Sequence, residues 1–417
     1  VRRFSSVPLV WFGWVAARLI LAGMILVESH PLGDVRYYHS GLFGTDPTAM
    51  TEYPDAGVWP LRLLGALTGP EMTGFLIGFG VMMMLVDAAF LTLLLSVGGT
   101  RRFAAAWFWV CFGLAAGHVF WLRLDLFPAI LVGLFAALLF TRPAVGAAVL
   151  ALATAVKLWP GVLAAGLVGG LRRGATWLRV FTFTFTLVAL AGITWWTSGL
   201  PRLLNPLDYQ GGRGIQIESL AATPFLINAH NRPGEYWIGF AASKSFEISG
   251  PGTDVAVLVT DWAMVAVLLA AVAWAGWNLV ADRWRPLRTV AFSLLLVLLL
   301  LVTNKVFSPQ YIVWLGPLLA VCLYVTRSRL VQVMAVLTVI AAALGTWVYP
   351  FHYDALWADP ATAGTEITVL AVRNGIIVVL TLLAATWLVL QSRRGRGFRS
   401  GTRRIPAAAQ SPRDETP

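Results

Sequence analysis

Asp34, in Gly33-Asp34-Val35-Arg36-Tyr37-Tyr38-His39, stands a few residues after a long apolar run that ends at Val27. A carboxylate held at a membrane boundary loses part of its water, which raises its basicity and suits it to take a proton from a hydroxyl. The competing reading is a solvated loop acid or a helix cap. Thr51-Glu52-Tyr53-Pro54-Asp55 follows in the same polar segment. Tyr38, Glu52 and Tyr53 add hydrogen-bonding groups there. Arg123 and Asp125 are one residue apart in a very short link between two apolar runs. Groups so near hydrocarbon pair with each other or with a neighbouring loop, and Arg123 can equally meet a phosphate. Lys157, in Lys157-Leu158-Trp159-Pro160, interrupts an apolar stretch and has no acid nearby in sequence. Its ammonium must snorkel to water or meet an anion such as a lipid phosphate.

Arg213-Gly214-Ile215-Gln216-Ile217-Glu218-Ser219 clusters a guanidinium, an amide and an acid. As an extended segment it puts Gln216 and Glu218 on one face; as a helix it aligns Arg213, Gln216 and Ser219. Either arrangement suits sugar hydroxyls and a phosphate. A second dense polar link, Asn304-Lys305-Val306-Phe307-Ser308-Pro309-Gln310-Tyr311, supplies Lys305 as another cation and Gln310 as another amide. His352 lies beside Tyr349, Tyr353 and Asp354. There is no HExxH and no histidine cluster, so no metal site is expected. Asp87 lies inside an apolar run and reads as a hydrogen bond between helices. Cys111 and Cys322 both fall in apolar segments, without a CxxC partner, and read as buried thiols without redox chemistry.

The elements that must carry these residues are membrane spans. Of the 417 residues, 58% are hydrophobic and 12% charged, where a soluble domain carries about 25% charged. That composition excludes a soluble enzyme, a disordered scaffold and an ordinary nucleic-acid-binding protein. A span needs about 20 apolar residues, because the hydrocarbon core is about 30 Å thick. The clear apolar runs number ten: 7–27, 72–97, 103–122, 126–141, 175–196, 255–280, 289–302, 311–325, 330–349 and 367–390. The stretch 144–170 is broken at Lys157 to Pro160, since proline removes a helix donor and clashes with the preceding turn. It reads as two half-spans, giving twelve helices; one long kinked span would invert everything downstream.

Charge chooses between these. With a broken pair and both termini inside, 20 of the 31 Lys and Arg side chains and only three acids, Asp282, Asp414 and Glu415, fall on the inner side. A single span scatters the arginines over both sides, against the positive-inside rule. Three outer loops remain, 28–71, 198–254 and 350–366, and they hold most of the polar chemistry. The first span contains Arg18 and lacks a small-residue cleavage pattern, so it reads as a retained helix. Residues 1–391 form one membrane-embedded domain, and 392–417 a basic, disordered cytoplasmic tail. Gly211-Gly212-Arg213-Gly214 matches no phosphate-binding glycine pattern, so no nucleotide domain is expected.

Gly33-Asp34-Val35, Glu52-Tyr53-Pro54, Lys157-Leu158-Trp159-Pro160, Arg213 to Ser219 and Asn304 to Tyr311, in that order and at these topological positions, resemble glycosyltransferase family 87. These are C-type integral-membrane mannosyltransferases, the actinobacterial polyprenol-phosphate-mannose-dependent type being the best known. The resemblance covers nearly the whole chain except the tail. It implies an all-α, multi-span C-type glycosyltransferase bundle with 10–12 helices and an active site at the extracytoplasmic face of the plasma membrane. It implies Asp34 as general base; Arg213, Lys157, Lys305 and Arg123 around the donor phosphate; and Tyr38, Glu52, Tyr53, Asp125, Gln216, Glu218, Gln310 and His352 around sugar or acceptor. The partners implied are a polyprenyl-phosphate sugar donor, a lipid-linked or polysaccharide acceptor and the lipid bilayer, with no nucleic acid, cofactor or metal. One departure is visible: Asp55 stands where family members often carry a second proline after Tyr53-Pro54. The rival reading is a transporter or flippase of amphipathic solutes, which the broken hairpin suits but the one-sided placement of polar residues does not.

The charge asymmetry predicts that single cysteines placed in 28–71, 198–254 and 350–366 react with a membrane-impermeant reagent from one side only, opposite both termini. Labelling of any of the three from the cytoplasmic side overturns the topology.

Overall fold

The structure, a computed structural model, describes residues 5–28, 32–44, 46, 49–96 and 98–394, with the backbone alone at 207–211 and 394. Arg2, Arg3 and the tail 395–417 lie outside the described residues. The chain is an all-α membrane protein with one small sheet. Among the described residues seven helices are long and apolar enough to cross a membrane: α1 (Val7–Val27), α4 (Met72–Ser96), α9 (Gly174–Gly211, apolar to Pro206), α11 (Thr253–Ala281), α12 (Pro286–Thr303), α14 (Arg329–Thr346, continued by a π-helical turn Trp347–Phe351) and α16 (Gly364–Arg394). Residues 392–394 of the expected tail therefore continue α16.

The remaining apolar runs depart from full spans. Residues 103–122 divide into α5 (Arg101–Ala115) and α6 (His118–Trp121). Between them Gly117 has φ +63°, and a β-carbon there would lie 2.5 Å from Thr346 Cγ2. Glycine is therefore required both for the turn and for the approach of α14. The runs α7 (Leu126–Leu138), α8 (Pro143–Val156) and α13 (Leu315–Val325) are short. The break after Val156 is present, but its second half is a 3₁₀ helix, Trp159–Leu167, as is Pro309–Trp314 before α13.

Length fixes where these helices end. α5 has 15 residues, α7 has 13 and α8 has 14, so at about 1.5 Å per residue they reach only about 20–22 Å. That is some 8–10 Å less than the hydrocarbon thickness. α7 and α8 meet at the link that carries Arg142 and have their other ends at Asp125 and Lys157, whereas α5 starts at Arg101-Arg102 and is continued by α6 to Trp121, just before Arg123. The polar ends therefore form a sunken floor on the side opposite the arginines.

Above the floor lie α2 (Gly33–Phe43) and α3 (Asp55–Thr68) from the first polar loop, and α10 (Thr223–Asn231), α15 (Tyr353–Ala358) and a sheet from the others. The strands β1 (Ile215–Gln216), β2 (Trp237–Phe240) and β3 (Phe246–Ser249) are antiparallel in the order β1-β3-β2. Of the two readings of 213–219, the extended one holds at Ile215–Gln216. Asp55, the departure from the family pattern, opens α3 and is buried. It accepts hydrogen bonds from Arg62 (2.5 Å), Trp59 (3.1 Å) and Ser198 (3.1 Å), which ties α3 to α9. Burial works against its charge, but these donors outweigh it and hold the carboxyl below the usual range.

Asp87 links four elements, as expected of a structural acid. It accepts from Arg18 Nε at 2.7 Å, Trp14 Nε1 at 2.9 Å, Trp109 Nε1 at 2.8 Å and Trp121 Nε1 at 3.4 Å. Of the two thiols, Cys322 is buried, whereas Cys111 is exposed. Cys111 lies on a face of α5 that no neighbouring element covers. Asp87→Ala strands Arg18 in a position only 3% exposed. We expect it to lower stability by about 3–5 kcal/mol, read as a fall in the unfolding midpoint of the detergent-solubilised protein.

Candidate functional site

Asp34 occupies the first turn of α2 and pairs with Arg123 Nη1. The Asp34 side chain is 36% exposed and that of Arg123 5%, so the carboxylate meets solvent on one side and a buried guanidinium on the other. Arg123 Nη2 donates to Tyr349 Oη at 2.8 Å. Burial acts against the charge of Arg123, but Asp34 and the surrounding tyrosines more than restore it. Tyr38, one turn after Asp34 on α2, is fully buried, and its hydroxyl lies 3.4 Å from that of Tyr53. Burial pushes both phenols above their usual range. Arg123 and Asp125, close in sequence, thus take different partners.

Asp125 pairs with Lys157, with Nζ–Oδ1 at 2.6 Å, and its Oδ1 also accepts from Trp314 Nε1 at 2.7 Å. The acid that Lys157 lacks locally comes from the preceding short link. The ammonium also lies over Tyr311 (5.1 Å) and Trp314 (5.5 Å), and Trp159 stacks on Trp314 at 4.6 Å. These rings supply the π faces that stabilise a desolvated cation. Lys157 remains 23% exposed, so the break in the hairpin opens onto the site. Gln310 is half-buried in the first turn of the 3₁₀ helix that carries Tyr311.

A second group borders the sheet. Arg213 Nη2 donates to Ser245 Oγ at 3.0 Å, and Gly214 N donates to Glu247 Oε2 at 2.9 Å. Gln216 N donates to Lys305 O at 3.0 Å, which joins the two polar links. Lys305 Nζ pairs with Asp261 at 3.1 Å. The hairpin between β2 and β3 rests on α2, for Lys244 donates to Tyr37 Oη at 2.5 Å, and Tyr37 donates to Glu52 at 2.9 Å. The segments carrying Asp34 and Arg213 are therefore bridged.

Glu218 is fully buried and lies 3.5 Å from Arg373, whose Nη2 also donates to Glu218 O at 2.8 Å. Burial pushes the Glu218 carboxyl up to about 7, with Arg373 acting the other way. Glu218 thus supports the β1 turn from α16 and does not join the Asp34 group directly. His352 turns to its own helix end: its Nδ1 lies 2.8 Å from Trp347 O, and its ring stacks on Trp347 at 3.7 Å. Tyr349 is the residue of that loop which reaches Arg123.

Several contributors escape the sequence reading. Glu28, at the end of α1, lies 3.4 Å from His118 Nδ1, and His118 packs against Tyr349 with ring centroids 5.2 Å apart. Asp261 and Arg373 sit inside apolar runs, and that placement was the available signal. Burial raises the Glu28 carboxyl to about 7, with Arg123 opposing.

The unfolded chain ionises Glu28 near its ordinary 4.5 and the folded chain only near 7. Between these values the folded state binds more protons, so stability falls as pH rises. Glu218 contributes in the same direction. Glu28→Gln is expected to flatten part of that fall and to leave the protein at least as stable as the parent above pH 7, measured as unfolding midpoints from pH 5 to 8. A slope that the substitution leaves unchanged contradicts the assignment.

Comparison of the chain with protein-family models, with curated proteins and with solved structures found no match.

Proposed function

We propose that the chain is a membrane glycosyltransferase. It moves a hexosyl group, mannosyl by its resemblance, from a polyprenyl-phosphate sugar to a glycan or glycolipid acceptor. The reaction takes place at the outer face of the plasma membrane, with both termini cytoplasmic. The observation that carries this reading is the half-open Asp34 carboxylate, oriented by buried Arg123, on a sunken floor shared with Lys157. A base for a hydroxyl and a cation for a lipid phosphate are the two groups such a transfer needs.

In the proposed step Asp34 takes the proton of the acceptor hydroxyl. The oxygen attacks the anomeric carbon from the face opposite the phosphate. The bond between that carbon and the phosphate oxygen breaks, so the configuration inverts and a lipid monophosphate leaves. Arg123 holds the carboxylate in position. The candidates for the leaving phosphate are Arg213 and Lys305, which lie on the sheet side, and Lys157, which borders the floor through its pair with Asp125. A floor below the membrane surface lets the sugar of a lipid-anchored donor reach the base while its chain stays in hydrocarbon.

Asp34→Asn keeps the size of the side chain and can still accept from Arg123, but it is a far poorer base. Transfer from labelled polyprenyl-phosphate mannose is expected to fall at least about 100-fold, with normal expression and retained donor binding. A loss of less than about tenfold removes Asp34 as the base and leaves Glu52 and Asp125 to be tested. In a transporter the same change alters solute binding, and neither form yields glycosylated product.

A further inference from the structure

A cleft of about 300 Å³ lies between the sheet and the first turns of α11, apart from the floor that carries Asp34. It falls at the small end of the size range of ligand pockets. Trp237, Gly239, Glu247, Ser249, Thr253 and Asp254 are among its lining residues. The register places Trp237 opposite Ser249 and Gly239 opposite Glu247, so these four side-chain positions share one face of the sheet. Ile215, Ile248, Phe240 and Val257 also border the cleft and give it an apolar part, while Phe246 stacks on Trp357. The Trp237 indole is 76% exposed. Its Nε1 comes within 3.4 Å of where a β-carbon on residue 239 would lie, so glycine there leaves the ring and the sheet surface accessible together.

The chemistry of this wall is selective. Its two charged groups, Glu247 and Asp254, are both carboxylates, and among the described lining residues none is cationic. An anion such as a phosphate or a nucleotide is disfavoured. Each Glu247 oxygen already accepts one hydrogen bond, from Ser243 Oγ and from Gly214 N, and keeps a further lone pair, while Asp254 is exposed at the start of α11; a purely apolar chain would strip water from these acceptors and replace it with nothing. A ligand with one apolar face for the indole and many hydroxyl donors for the carboxylates meets both demands. That is a neutral carbohydrate.

We propose that this cleft binds a saccharide unit of the acceptor glycan away from the reacting hydroxyl. This rests on the transferase reading for its role, though not for the binding itself. Gly214, next to Arg213, is among the residues that line the cleft, and the turn of the same hairpin touches α2 through Lys244 and Tyr37. A glycan longer than one sugar can therefore lie in the cleft while another unit approaches Asp34, and binding there raises the effective concentration of the acceptor end.

The test uses the detergent-purified full chain and a soluble α-linked mannotetraose as probe. In the Asp34→Asn background, which isolates binding from turnover, Trp237→Ala is expected to weaken probe binding at least about tenfold, a change of about 1.4 kcal/mol. Trp237→Phe, which keeps an aromatic face, should retain affinity within about threefold of the parent. In the chain with Asp34 intact, Trp237→Ala is expected to raise KM for the tetraose and leave KM for a single-mannose acceptor unchanged. Saturable binding that depends on Trp237 without any transfer activity upholds the site and removes the transferase reading. Transfer that depends on Asp34 but is indifferent to Trp237 for both acceptors removes the site and keeps the transferase. A nitroxide at Trp237→Cys that is buried in lipid when the protein is in a bilayer also overturns the proposal, because the ring then serves as a membrane anchor.

Discussion

A membrane span that is too short must end inside the hydrocarbon, and α7 and α8 are both too short. Their polar ends cannot be left bare at that depth, where an unpaired charge costs several kcal/mol. Arg123 takes Asp34 and Tyr349, and Asp125 takes Lys157 and Trp314. The same constraint explains why the partners come from different elements. α7 brings Asp125 at its start and α8 brings Lys157 at its end, and these two answer each other, while Arg123 in the link before α7 is answered from α2 and from the turn after α14. The 3₁₀ segments Trp159–Leu167 and Pro309–Trp314 belong to this arrangement, for they fill the depth that the α-helices leave.

The lower half of the bundle is held differently. Asp87 gathers one guanidinium and three indole N–H groups from α1, α5 and α6. A fully buried carboxylate with four donor residues around it is satisfied and rigid. Two acids thus have opposite characters in one molecule. Asp87 is enclosed by donors, whereas Asp34 is held on one side and open on the other. Only the second arrangement leaves a carboxylate free to meet a ligand.

Much of this was legible in the residues. The apolar runs locate the helices because length and hydropathy are local properties. Pro160 marks the hairpin break because its ring forbids a regular helix there. The 3₁₀ form of the second half, the division of α5 from α6 and the sheet were not legible, since each depends on what packs alongside. Gly117 shows the reason: its turn exists to admit Thr346, more than two hundred positions away. The candidate residues themselves were visible as polar groups in apolar surroundings, but their pairing was not. Lys157 looked unpaired because sequence distance hides Asp125, and His352 looked better placed than Tyr349 because nothing in the loop says which ring faces Arg123.

The contact between Glu218 and Arg373 has a consequence for how the molecule is made. The two residues are 155 positions apart, and at 5–20 residues per second the ribosome needs roughly 8–30 s to cover that interval. During that time the loop bearing Glu218 has left the ribosome, while the helix that completes its burial has yet to be synthesised. The carboxyl must stay hydrated until α16 inserts, so the β1 turn cannot reach its final seat earlier. Insertion of the last helix is therefore the event that seals this wall, and a nascent chain stopped before Arg373 keeps an open, hydrated loop that quality-control factors can recognise.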